Sequence, residues 1–215
     1  MKQRYTDTDL QKLEKHFRTN LINSISGFKS LQLVGTISEN NDVNLAVFNS
    51  IFHVGANPAL IGMVVRPDGD NRSTLKNILA RKFYTLNNVK ESFFREAHQT
   101  SARYREGESE FETCRLTECY LDGFIAPFVA QSNIKMGLEL EQVIPLQVNN
   151  TTIVIGTVKI IELDNSVLAA DGFVDLNDAG SITVAGLDSY YTTTPLARLE
   201  YAKPGVELKE LSEKI

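Results

Sequence analysis

The segment Asn44–Val65, NLAVFNSIFHVGANPALIGMVV, limits the fold more than any other part of the chain. It reads as two apolar strands joined by a polar stretch that contains Gly55 and Pro58. Arg66-Pro67 follows, and then a helix start at Arg72-Ser73-Thr74-Leu75. Such an order can gather backbone N–H groups, small hydroxyls and a guanidinium around one anionic ligand.

The rest of the chain repeats the pattern of short strands and polar turns. Ser30–Ile37 is β-like, and Glu39-Asn40-Asn41-Asp42 reads as a turn into Val43–Phe48. Leu60–Val65 is apolar on both faces, which predicts a central strand. Phe83–Leu86 and Asn133–Leu140 are further strands, the second by alternation of Ile134, Met136, Leu138 and Leu140. Thr152–Leu163 is the strongest strand, with Asn149-Asn150 before it as a hairpin turn.

Helices are fewer. Thr8–Phe17 carries Leu10, Leu13 and Phe17 on one face, and Thr8 with Gln11 makes a capping-box pattern, predicting a helix over about 8–18. Ser73–Lys82 is helical with Ser73 or Thr74 as cap, and so is Glu91–Gln99, while Glu108–Cys114 reads as a polar segment or short turn. This balance predicts a mainly β fold, a closed or split antiparallel barrel with a few peripheral helices. There is no repeat or linker, so one domain over 1–215 is expected. The charged tail from 203 is expected either to arm a neighbouring molecule or to fray.

Charge excludes several functions. A formal net charge of -5 disfavours nucleic-acid and anionic-membrane partners, which need a basic face. No apolar run approaches the roughly 20 residues of a membrane-spanning helix. The N-terminus MKQRYTDTDLQKLEKHF is charged throughout and has no secretory core, so a soluble, cytoplasmic protein is expected. Cys114 and Cys119 are too few for a structural zinc site and read as two buried thiols. The sequence lacks G-x-G-x-x-G after a strand, a Walker lysine loop, H-E-x-x-H and G-x-S-x-G. Hydrolysis and phosphoryl transfer therefore have no nucleophile or metal site, and no metal is expected. A β-rich fold that recruits a cofactor carrying its own chemistry is left.

Four segments in order resemble one family. Asn44, Ala46, Phe48, Val54, Pro58 and Leu60 fall in register with N-x-A-P-[FY]-S-x-F-N-x-V-S-x-x-P-P and its apolar strand. Arg72-Ser73-Thr74-Leu75-Lys76-Asn77-Ile78 matches a K-D-T-x-x-N-I helix start. Ser101-Ala102 with Ser109-Glu110-Phe111-Glu112, and Gly186-Leu187-Asp188-Ser189-Tyr190-Tyr191, match two later segments. The pattern resembles the flavin reductase-like family, FMN-binding split barrels that include the flavoredoxins. Val47, Asn49, Phe52 and His53 depart from it, standing where the family has proline, serine, asparagine and a small residue.

The resemblance implies bound FMN, NAD(P)H as electron donor, hydride transfer to the flavin and onward to an acceptor, and a homodimer with flavin near its seam. Phe93, Phe94, Phe124 and Phe128 are candidates for part of that seam. Arg66, Arg72, Ser73 and Thr74 would hold the phosphate. Phe48, Asn49, Ser50 and Ile51 would lie along the ring, with Ser101 as a further contact. Read alone, Ser73 would cap its helix and both arginines would be solvated; the strand–loop–helix order together with the resemblance favours the anion role. His53 and His98 are weaker candidates for proton donation or nicotinamide contact, and Tyr190 and Tyr191 are expected to pack in the core or seam. The rival expectation is a non-catalytic electron carrier or ligand-binding split barrel; a related barrel holding haem or another flavin-like cofactor is a third.

Overall fold

In the computed structural model, which describes residues 1–67, 73–105 and 107–211, strands recur along the chain. They are β1 (Lys29–Ser30), β2 (Gln32–Ile37), β3 (Val43–Phe48), β4 (Ile51–Ala56), β5 (Ala59–Val65) and β6 (Phe83–Asn88). After these come β7 (Glu118–Cys119), β8 (Phe128–Val129), β9 (Ile134–Leu146), β10 (Thr151–Leu163), β11 (Thr183–Ala185) and β12 (Ser189–Tyr191). The helices are α1 (Asp7–Lys12), α2 (Lys15–Ile25), α3 (Ser73–Arg81), α4 (Phe94–Gln99) and α5 (Glu110–Thr113). The protein is mainly β, as the sequence predicts.

Seven antiparallel strands run in the order β3-β2-β6-β9-β10-β5-β4. The row curls until its two terminal strands, joined by Asn49-Ser50, line one core with Val34, Met63, Tyr84, Leu86, Leu138 and Val154, against which Phe48 and Ile51 pack. This is the split barrel. Helix α3 packs on β2 and β3, inserting Ile78 into that core. A second core fills the other face of β2 and β3, where Leu33 and Leu45 meet Phe93 and Ala97, Phe111 of α5, and Val184 of β11. A three-stranded sheet, β1-β11-β12, borders this layer.

Local chemistry accounts for the long hairpin of β9 and β10. The β-branched run of β10 suits a pleated surface, and Asn150 takes φ 58 in the turn, a left-handed value that Asn tolerates. Gly156 is required where it stands, because a Cβ there would lie 2.3 Å from the Tyr84 hydroxyl.

Several expectations need correction. The N-terminal helix is two helices with different ends: Thr6 and Asp9 form the capping box of α1, and the Glu14 carboxylate caps α2 by accepting from the His16 and Phe17 amides at 2.8 and 3.0 Å. The Leu60–Val65 strand is not central; β5 lies next to the terminal strand β4. The polar stretch before it is not a loop, since Ile51–Ala56 pairs with β5 through the turn at Asn57-Pro58. Glu110–Thr113 is a helical turn. Phe93 and Phe128 are 5% and 0% exposed within the protomer, so neither offers a surface for a seam. The tail is ordered into a hairpin over 198–211.

Candidate functional site

β3 ends where the sequence places the ring-binding segment. Phe48 packs into the barrel core, Asn49 and Ser50 make the corner, and Ile51 opens β4 opposite Met63. The Ser50 carbonyl accepts from the Val64 amide at 2.9 Å, which fixes the corner against β5. Asn49 Nδ2 donates to the Gly186 carbonyl at 3.1 Å, and the Ser50 hydroxyl donates to Asn49 Oδ1 at 3.3 Å. Arg66 leaves β5 two residues beyond Val64, exposed, and donates to Asn23 Oδ1 of α2 at 2.8 Å.

A residue without any sequence signal joins this group. Lys29 donates from Nζ to the same Gly186 carbonyl at 3.3 Å. Partial burial lowers its ammonium below the usual lysine range, and the positive charge of Arg66 lowers it further. Among the described residues neither cation takes part in an ion pair; the pairs present are Lys135–Glu162, Lys159–Glu139 and Arg198–Asp171. Each cation uses one described side-chain bond, fewer than its donors. Two like charges held together without a carboxylate suit an anion.

A polar orphan lies nearby. Gln32 begins β2 directly opposite Phe48, and its Oε1 is buried without a partner while its Nε2 donates to the Ser30 hydroxyl at 3.4 Å. An unmet acceptor of this kind costs about 1–3 kcal/mol unless a donor arrives. Backbone groups are also on offer. The Leu45 amide points away from β2, where Glu110 Oε2 receives it at 3.1 Å. By the two-residue period of an antiparallel ladder, the Val47 N–H and C=O turn the same way, beside the corner.

The helix end of the expected phosphate site is built differently. Ser73 is exposed as the first residue of α3, whereas Thr74 is 8% exposed and accepts from Asn44 Nδ2 at 3.1 Å. Asn44 also donates to the Thr36 hydroxyl, which receives Asn77 Nδ2 as well, each at 3.1 Å. This network docks α3 on the sheet. Asn44 precedes Phe48 by four residues, about 13 Å along the strand. Arg66 and Thr74 thus stand toward opposite ends of β3. Arg72 lies outside the described residues.

The remaining candidates are apart from this cluster. Ser101 is exposed in the turn after α4, its amide bonded to the His98 carbonyl at 3.0 Å. His98 Nδ1 meets the Tyr190 hydroxyl at 2.5 Å, and Tyr190 packs against Phe94 at 5.3 Å between ring centres. Burial, then the charge of Asp188, raises the Tyr190 phenol above its ordinary value. His53 is exposed on β4, opposite Ile61. Cys114 is buried, with its thiol pushed up chiefly by desolvation; Cys119 is half-buried and shifted the same way for the same reason.

Comparison with known proteins decides the family. The model of the flavin reductase like domain matches residues 29–178. This chain belongs to the flavin reductase-like family. A split-barrel protein of Shewanella frigidimarina NCIMB 400, named as a candidate flavin reductase, is 42% identical with a TM-score of 0.91, covering 94% of this chain and all of that one. Flavoredoxin of Desulfovibrio vulgaris (Miyazaki F) is 23% identical with a TM-score of 0.68, covering 83% and 91%, and shares the fold. An uncharacterized protein of Halalkalibacterium halodurans is 30% identical over 120 residues, and the chain spans 57% of its length. No helix of the described residues is long and apolar enough to cross a membrane. Within a flavin reductase-like barrel, the Lys29–Arg66 pair, the Asn49-Ser50 corner and the unmet Gln32 acceptor suit an anionic end and a polar edge, and a flavin nucleotide presents both. The residues present fit that group.

Proposed function

We propose that the chain binds FMN and acts as an oxidoreductase that takes hydride from NAD(P)H and passes electrons to an acceptor. The observation that carries this is the pair of cations, Lys29 and Arg66, set beside Asn49 and Ser50 without a described carboxylate partner. A bound flavin would supply the hydride-accepting chemistry, so the chain needs no nucleophile or acid–base residue of its own.

Its residues have three tasks. Lys29 and Arg66 hold the phosphate, with Ser73 and Thr74 on the path toward α3. The Asn49 amide, the Ser50 hydroxyl and the outward backbone of Val47 read the polar edge of the ring, and Gln32 Oε1 accepts from a ring or ribityl donor. Phe48 and Ile51, packed in the barrel core, hold that corner rigid and keep water from beneath it. Ser101 stands on the approach to this face from α4.

Purified protein mixed with FMN should quench the flavin fluorescence in a saturable titration. Anaerobic NADH or NADPH should then bleach the bound flavin. Absence of binding at tens of micromolar FMN overturns the reading; binding without bleaching by either nucleotide leaves a carrier and overturns the enzyme.

A further inference from the structure

Helix α2 makes its described polar contact with the barrel in its last turn. None of its residues is buried, and Phe17, Ile22 and Ile25 are exposed. Its first turn is held by α1, where the Leu10 and Gln11 carbonyls accept from Arg18 Nη1 at 3.5 and 3.3 Å. At the other end Asn23 Oδ1 accepts from Arg66 Nη2 at 2.8 Å. The Ser24 Cβ beside it would lie 3.8 Å from a Cβ built on Gly186, whose carbonyl receives both Lys29 and Asn49. Gly27, at φ 88, then stops the helix, its amide donating to the Ser24 carbonyl at 3.1 Å, and Lys29 opens β1 two residues later. One corner of the chain thus supplies one cation and steers the other. Asn23 lies ahead of the shared family domain, which begins at Lys29.

The Asn23 amide has a fixed sense. Its Nδ2 donates to the Thr19 carbonyl at 2.8 Å, one helical turn back, which leaves Oδ1 as the group that faces Arg66. Arg66 is exposed, and a long charged side chain in water samples many rotamers unless something holds it. Ordering it before a ligand arrives spares the ligand that cost. A carboxylate at this position would hold the guanidinium more strongly, but it would also cancel the charge that an anion needs. A neutral amide oxygen orients the fork and leaves its charge whole. It takes one N–H and leaves the other donors of the guanidinium for a ligand.

We propose that Asn23 is a positioning residue of the flavin site: it aims the Arg66 guanidinium at the phosphate, and thereby sets how strongly the chain prefers FMN to unphosphorylated riboflavin. The inference rests on the flavin reading above. Asn23 touches the ligand nowhere and acts through Arg66, so its influence reaches the phosphate and not the ring. The plainer role for the same bond is to moor α2 on the barrel. The two roles predict opposite results for Asn23→Asp, which keeps the size and shape of the side chain. A carboxylate moors the helix more tightly through an ion pair with Arg66, yet sets a negative charge beside the phosphate and repels it.

Fluorescence titrations of the full chain with FMN and with riboflavin separate the two. Asn23→Ala should weaken FMN roughly fivefold, the scale of a lost charge-assisted hydrogen bond, and leave riboflavin within about twofold. Asn23→Asp should weaken FMN more than Asn23→Ala does. In an Arg66→Ala background, Asn23→Ala should alter neither affinity, because the residue through which it acts is gone. Three results would overturn the proposal and leave the flavin reading standing: FMN binding to Asn23→Asp as tight as to wild type, equal losses for FMN and riboflavin, or a loss that persists without Arg66. A wild type that binds no FMN overturns the flavin reading itself, and this inference with it.

Discussion

Arg66 stands close enough to Lys29 for its positive charge to help lower the Lys29 ammonium, and the two share one end of the barrel. An anion bound between them relieves that repulsion. Lys29→Ala should therefore weaken FMN binding at least tenfold, about 1.4 kcal/mol. Lys29→Arg should retain most of it, and added salt should cost the wild type more affinity than the alanine variant. Fluorescence titration at two ionic strengths checks this; equal affinities for wild type and Lys29→Ala would exclude Lys29 from the site.

Gln32→Leu should act in opposite directions with and without ligand. Removing the orphaned acceptor stabilises the ligand-free protein, while the ligand loses a partner. Thermal unfolding should show a higher midpoint without FMN and a smaller rise on adding it. A lower ligand-free midpoint would mean that Oε1 is satisfied in solution.

Glu110 gives a pH prediction. Burial raises its carboxyl above the ordinary range, more than the bond from the Leu45 amide lowers it. A group whose folded value is raised contributes stability that is full below the unfolded value and lost as pH rises through the folded one. Glu110→Gln cannot ionise and keeps an acceptor for Leu45. Its stability relative to wild type should rise between about pH 4 and pH 7. Denaturant titrations at both values measure this, and a difference that stays flat with pH would refute it.

Gly156→Ala should destabilise the barrel by about 1–3 kcal/mol, because the new methyl meets the Tyr84 hydroxyl. Tyr84→Phe removes the nearest clashing atom and should recover part of the loss in the double variant. Additive effects would show that the strain falls elsewhere, on the Glu139 carbonyl.

The sequence made the strands legible wherever β-branched residues ran together, as in β10, or alternated, as at the start of β9. It misplaced β5 because an apolar strand buried on both sides by one protomer looks the same as one whose outer face is open. It missed β4 because Gly55 and Pro58 signal a turn, and only pairing with β5 shows that a strand precedes it. The ring-side corner was legible through its polar pair, Asn49-Ser50. Lys29, Asn23 and Gly186 were not, since each meets that corner through contacts distant in the chain. Thr74 was found as a residue but not for its bond to Asn44, which also ties it to the docking of α3.

The bond from the Leu45 amide to Glu110 has a consequence for how the molecule behaves in a crowd. A terminal strand normally presents a row of unpaired backbone groups on which a foreign strand can polymerise. A carboxylate seated in the middle of β3 occupies that row and repels like-charged intruders. In acid the neutral carboxyl still accepts that amide, so the repulsion is lost but the bond that stoppers the row remains.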